Sequence, residues 1–309
     1  KVHSCSLNHL DIWVRSGSTP YKHIFPFVLG SDASGEVVEI GDNVTKFNVG
    51  DKVVVYPAQS LISEQKKSNN SEHFLESYKI LGEHLPGVQS EYIVLSQLNI
   101  FRIPDGLSYI DASTIPLVFM TSYEMLVEKG KVEEGSNVLI LGANSGVGSA
   151  SIQIAKFFGA KVSTTVSDKK KYNFAEYLGA DKIYYNNKDL YKSISNDIGR
   201  DKFDIIIEHI GEKTWQTSTR LLAWGGRLIF CGATTGHEVK INLKHMFAKQ
   251  QSVIGSSMSS YKTFSEMIKI IPKMKFKSIN DKTFSFDSAK DAHDYIERRE
   301  NIGKVTLVP

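Results

Sequence analysis

The run NVLILGANSGVGSASIQIAKFFGAKV, residues 137 to 162, reads as a buried strand, a turn of small residues and a helix with an apolar stripe. Glycines in such a turn let the backbone approach a diphosphate, and the helix opening near Gly146 offers free N–H groups and a positive dipole end. Gly142, Ser145, Gly146, Val147 and Gly148 are therefore candidates to hold the phosphates of a dinucleotide. The spacing is not the strict G-x-G-x-x-G pattern, and a glycine turn alone also serves as an ordinary tight turn. The helix and the strand KVSTTV that follow make it a dinucleotide signature.

Which dinucleotide depends on the end of that second strand, roughly 20 residues beyond the glycines. NAD sites usually place a carboxylate there, against the ribose 2′-OH. Here the strand ends in Val166, followed by Ser167, Asp168 and Lys169-Lys170-Lys171. An apolar last residue with Ser167 and Lys171 behind it favours a 2′-phosphate, hence NADP over NAD. Asp168 stays open, as an NAD carboxylate or as the N-cap of DKKKYNFAEYL. The lysines equally suit a solvated helix face.

The elements that position these residues alternate from residue 135 onward. KVSTTV, KIYYN, FDIIIEHI, GRLIFCG and QSVIGSSM read as strands with helical segments between most of them, which implies a parallel sheet covered on both faces. Residues 1 to about 57 and 88 to 104 read as short strands and turns, as in VVEIGDNVTKFNVGDKVVVY. A polar stretch separates these two β-rich parts. The tail carries a helical stretch, a strand in KTFSFDS, the charged helix AKDAHDYIERRE and a last strand, GKVTLVP.

With 309 residues the chain has room for two ordinary domains, and 41% hydrophobic with 23% charged residues is a soluble, globular composition. A net charge of +3 from scattered basic residues suits an anionic cofactor and leaves no footprint for nucleic acid. Cys5 and Cys231 form no disulfide framework, so a cytoplasmic protein is expected. No apolar run approaches the ~18 residues of a membrane span. The chain opens at Lys1 inside what reads as a strand, and a further N-terminal segment is expected ahead of it.

Taken in order, several segments resemble the medium-chain dehydrogenase/reductase superfamily. They are N-x-x-D-x-x-x-R-x-G at Asn8, Asp11, Arg15 and Gly17, then LGSDASGEVVEIGDNVTKFNVGDKV, QSEYIV and the phosphate turn, then FDIIIEHIGEKTWQTSTRLLAWGGRLIFCGATTG and GKVTLVP. The resemblance implies an α/β fold: a Rossmann doubly wound parallel sheet plus a GroES-like β-rich catalytic domain. It places the GroES-like domain at 1–112, the Rossmann domain at 113–258 and a C-terminal return to the catalytic domain at 259–309. It also implies a homodimer or homotetramer, with the QSVIGSSM edge pairing across a two-fold axis, and a small-molecule substrate.

The zinc alcohol dehydrogenases of this superfamily hold their catalytic metal at positions that fall here on Asn8, Ser31 and Leu117. Their structural-zinc cysteines fall on Ser60, Ser63, Lys66 and Phe74. Neither set suits zinc, and no metal is expected. Asn8 with Asp11 and Arg15 is similar to the zinc-free quinone oxidoreductase and zeta-crystallin branch, while the overall wording is closer to archaeal and bacterial alcohol dehydrogenase-like proteins.

The implied activity is an NADPH-dependent reduction of a quinone or an enone-type alkene. The alternatives are an NAD(P)-dependent alcohol or aldehyde oxidoreductase and a non-catalytic nicotinamide-binding regulator. Asn8 is the candidate to polarise or orient the substrate, or else a buried amide serving the backbone. His9 is a candidate proton relay or a structural histidine. Tyr21 is a further donor, although the tyrosine of the quinone reductases falls in register on Thr19. A residual metal site would draw on His9, Asp32, Glu83 and His84, whose spacing matches no known site. The resemblance places Thr121, Gly232 and Ala233 along the cofactor.

Overall fold

The computed structural model describes residues 1–59, 71–200 and 202–309. Short runs, of which KVVV in β3 is the one rich in β-branched residues, build the first strands: β1 (Val2–Ser6), β2 (Asp32–Glu36), β3 (Lys52–Val55), β4 (Ala58–Gln59), β5 (Lys79–Ile80) and β6 (Ile100–Arg102). Runs with apolar residues, each followed in the chain by a helix, build β7 (Asn137–Ile140), β8 (Lys161–Val166), β9 (Lys182–Tyr185), β10 (Phe203–Glu208), β11 (Leu222–Phe230) and β12 (Ser252–Gly255). The tail adds β13 (Asn280–Ser285) and β14 (Lys304–Val308).

These elements form two compact units, Lys1–Met120 with Ser259–Pro309, and Thr121–Met258. In the first, a six-stranded sheet runs in the order β13-β14-β1-β2-β3-β6, antiparallel except for the β13–β14 pair. The tail strand β14 lies in the interior of that sheet, with Cys5 opposite Leu307 and Ser6 opposite both Thr306 and Asp32. Val2, Cys5, Leu7, Ile12, Val55, Val88, Ala292, Ile296, Val305 and Leu307 pack into one apolar cluster.

In the second unit, six parallel strands run in the order β12-β11-β10-β7-β8-β9. The order reverses at β7, whose carboxyl end leads into the glycine turn; this is where such sheets bind ligands. Leu139, Leu141, Phe203, Ile206, Trp215 and Leu228 lie in its core.

Two segments differ from their sequence pattern. Residues 9–15, read among strands and turns, form a helix, His9–Arg15, because Asn8 is held as its N-cap and Asp11 accepts the first free N–H. Residues 88–104 yield one short strand, β6. Among the described residues no helix is long and apolar enough to cross a membrane.

Candidate functional site

Asn8 lies two residues past the end of β1, and Leu7 between them donates its N–H to the Val305 carbonyl at 2.9 Å, which brings the start of β14 alongside. The Lys304 ammonium donates to Asn8 Oδ1 at 2.5 Å and to Asp32 Oδ2 at 3.2 Å. The same Asp32 oxygen accepts from Asn8 Nδ2 at 2.8 Å, and its other oxygen accepts the Leu117 N–H at 2.8 Å. Asp11 lies beneath, accepting the N–H of Asn8 at 2.7 Å and of Gly30 at 3.0 Å.

Asp11, Asp32 and Lys304 are buried, and Asn8 keeps 7% of its surface in solvent. The amide has one sensible orientation, since a flip would set its NH2 against an ammonium and its oxygen against a carboxylate. One Nδ2 hydrogen meets Asp32; the second has no acceptor among the described residues. Burial pushes the Asp11 carboxyl up to about 7, against the opposing pull of the Asn8 and Gly30 N–H groups and of Lys304. Burial also lowers the Lys304 pKa, which Asp32 and Asp11 partly counteract.

At the other two positions where the resemblance sets zinc ligands, the Ser31 hydroxyl donates to the Leu81 carbonyl at 2.7 Å and Leu117 brings an aliphatic side chain. Ser60, Ser63 and Lys66 lie outside the described residues, and Phe74 is exposed.

Among the described contacts, His9 and Tyr21 do not join this network. His9 is exposed, its ring 6.2 Å from that of Trp13. Tyr21 is exposed and tilts over His84, ring centroids 4.2 Å apart. Glu83 and His84 lie with Tyr21 and His23, whose Nε2 is 2.8 Å from the Glu83 carbonyl. Asp32 is instead engaged by Asn8, Lys304 and Leu117, so the four residues of a residual metal site do not converge among the described contacts.

In the second unit Ser145 is the N-cap of helix Gly146–Phe157, its hydroxyl accepting from Gly148 N at 2.8 Å and donating to the Gly142 carbonyl at 2.9 Å. A Cβ on Gly148 would strike that carbonyl, and Gly142 sits at φ +68°, so the tight path requires both glycines. The turn is tied to β8 through Thr165, whose Oγ1 accepts from Gly142 N at 2.9 Å and whose carbonyl accepts from Ala143 N at 3.0 Å. The first N–H groups of the helix, from Gly146 and Val147, lack intrahelical partners and suit an anion.

At the end of β8, Ser167 donates to Asp168 at 2.9 Å and accepts from Lys171 Nζ at 3.0 Å. Asp168 caps the helix Lys169–Leu178, accepting Lys171 N at 3.1 Å, and pairs with Lys171 Nζ at 3.3 Å. Burial pushes its carboxyl up, yet the N–H of Lys171, the Ser167 hydroxyl and the Lys171 ammonium together hold it below the usual range. Gly232 and Ala233 lie in the segment after β11, which is tied to the segment after β10 through Thr235 N to the Ile210 carbonyl at 2.8 Å. Thr121 is buried beside Ser122, whose hydroxyl donates to the Val147 carbonyl at 3.1 Å.

Two residues of these neighbourhoods were not singled out from sequence. Lys304 carries a local signal only in hindsight, a charge opening an apolar strand in GKVTLVP. His209, after β10, places Nε2 2.7 Å from the Leu141 carbonyl and 3.1 Å from Ser145 Oγ, and burial lowers its pKa.

Comparison with known proteins agrees with this architecture. Residues 1–105 match the alcohol dehydrogenase GroES-like domain and residues 146–273 the zinc-binding dehydrogenase family. The chain is 28% identical over 261 residues to the quinone oxidoreductase of Homo sapiens, covering 84% of this chain and 71% of that protein. It is 27% identical over 325 residues to a crotonyl-CoA reductase of Streptomyces avermitilis, covering 98% and 73%. The solved structure of an NAD-dependent alcohol dehydrogenase matches with a TM-score of 0.95 at 35% identity, covering 100% of this chain and 90% of that one. A GroES-like unit, a Rossmann-like parallel sheet and these relatives lead to one conclusion: the chain belongs to the medium-chain dehydrogenase/reductase superfamily of oxidoreductases.

Proposed function

We propose that this protein is a zinc-independent, NADPH-dependent reductase that transfers hydride to a quinone or to an activated alkene of the enone type. The observation that carries this reading is the Asn8 carboxamide, fixed by Asp32 and Lys304 with one N–H left for a ligand oxygen. Bound nicotinamide supplies the hydride; the protein must hold the oxygen on which negative charge then collects. A preoriented N–H donor in a low-dielectric setting does that. Quinones and enones are already electrophilic and ask no more of it. A simple alcohol asks for a Lewis acid at the developing alkoxide, and an amide, an engaged hydroxyl and a leucine are a poor donor set for zinc.

Asn8 is then the donor to the substrate oxygen. His9, exposed at the next position, relays a proton from solvent, and Tyr21 is a further donor. Gly142, Ser145, Gly146, Val147 and Gly148 bind the diphosphate, Thr121, Gly232 and Ala233 line the cofactor, and Ser167 with Lys171 receives the 2′-phosphate. The names of the quinone oxidoreductase and crotonyl-CoA reductase relatives support reduction of such acceptors. The NAD-dependent alcohol dehydrogenase at 35% identity supports the second reading, an NAD(P)-dependent alcohol or aldehyde oxidoreductase. A homodimer or homotetramer is proposed with β12, an edge strand of its sheet, as the pairing edge.

The test is oxidation of NADPH and NADH by the purified protein with quinones, enones and short aldehydes, with and without a chelator. Chelator-insensitive turnover of a quinone or enone, faster with NADPH, is expected. Turnover confined to alcohols or aldehydes, or abolished by chelation, overturns the reading. Cofactor binding with no turnover of any acceptor points to the non-catalytic regulator.

A further inference from the structure

Resting on the reading of Asn8 as the donor, we propose that Lys304 is a positioning residue that orients and polarises the Asn8 carboxamide, strengthening its remaining N–H for the substrate oxygen. The ammonium is not simply the partner of a carboxylate. It sits closer to the amide oxygen, 2.5 Å, than to Asp32, 3.2 Å, and Asp32 in turn receives the amide nitrogen at 2.8 Å. The three groups form a closed triangle in which each end of the amide meets its complement.

A positive charge on a carboxamide oxygen draws density from the nitrogen, and hydrogen bonds linked in this way polarise one another. With Lys304 only 3% exposed and Asp32 0%, water does not screen the effect. Burying a lysine with one carboxylate is by itself a poor source of stability. The arrangement has a use if the charge acts through Asn8 on a ligand. Here the cation stands one residue behind the donor.

The experiment compares Lys304→Gln, Lys304→Arg and Asn8→Ala with the unaltered protein on whichever quinone or enone it reduces fastest. Read-outs are kcat, acceptor KM, NADPH Kd by fluorescence titration and melting temperature. Gln keeps an N–H for the amide oxygen but removes the charge. Lys304→Gln is expected to lower kcat about ten-fold, with acceptor KM and NADPH Kd within about two-fold, and Lys304→Arg to recover most of the loss. An unchanged kcat in Lys304→Gln, a loss that Arg does not recover, or a loss mainly in NADPH affinity overturns the proposal.

Asn8→Ala separates the two levels. If it leaves turnover intact, the donor reading fails and this proposal with it. If it lowers kcat about a hundred-fold while Lys304→Gln does nothing, only the role of Lys304 falls. Should Lys304→Gln fail to fold, the pair Lys304→Met with Asp32→Asn leaves no uncompensated buried charge. It carries the same expectation, and unchanged turnover in it sinks the proposal.

Discussion

On the proposed reading, Asp168 and Lys171 offer a cofactor ribose opposite chemistries at one strand end, and the choice of NADPH rests on how the two residues are already engaged. The Asp168 carboxylate is engaged by the Lys171 N–H, the Ser167 hydroxyl and the Lys171 ammonium, so it serves the helix it caps. A ribose 2′-OH would have to compete with all three. A 2′-phosphate would instead gain from Lys171 and Ser167, which need only exchange one anionic partner for another. Lys171→Ala is therefore expected to raise the NADPH Kd by roughly ten- to a hundred-fold and the NADH Kd by less than about three-fold. Titration of intrinsic or cofactor fluorescence with each dinucleotide measures this. Equal losses for both would move the cofactor assignment to NAD. Ser167 and Lys171 were legible in the sequence because strand end and helix start are neighbours in the chain. Lys304 was not: it meets Asn8 across 296 residues, through a strand pairing that no local pattern announces.

The helix His9–Arg15 shows how an element can be hidden by its own residues. Leu10, Ile12 and Val14 alternate as they would in a strand, and only the Asn8 cap and Asp11 signal the helix. The glycine turn and its helix were readable because their periodicity changes sharply at Gly142. Asp11 gives the hidden helix a testable signature. Its carboxyl, pushed up by burial to about 7, keeps a proton in the folded chain that the unfolded chain releases above the ordinary carboxylate range. The stability it contributes is full at acid pH and is lost as pH rises through about 7, at up to about 1.4 kcal/mol per pH unit. Asp11→Asn turns an NH2 toward one of the two backbone donors, of Asn8 or Gly30, and is expected to cost about 1–3 kcal/mol at pH 5. Since Asn does not titrate, the gap to the unaltered protein should narrow between pH 5 and 8. Urea midpoints across that range check it, and a constant gap would mean that Asp11 is ionised throughout.

On the scale of the whole chain, the two units differ in how their sequence is assembled. Thr121–Met258 is continuous and holds all six strands of its sheet, the glycine turn and every proposed cofactor residue. The other unit is interrupted: β1 to β6 precede that segment, while β13 and β14 follow it. Since β14 lies between β13 and β1 and contributes Val305 and Leu307 to the core, the first 120 residues alone would expose the flank of β1 and an unfilled apolar face. They would also lose Lys304 and leave Asp32 buried without its counter-charge. Expressed separately, Thr121–Met258 is expected to melt cooperatively and to be stabilised by NADPH, by about 2.7 kcal/mol at a concentration a hundred-fold above its Kd. Lys1–Met120 is expected to show no cooperative melt. Circular dichroism melts of the two fragments, with and without NADPH, decide the matter. A cooperative transition in Lys1–Met120 would show that the interior tail strand completes a sheet already able to stand. A Thr121–Met258 fragment that folds but is indifferent to NADPH would mean that this unit does not hold the cofactor by itself.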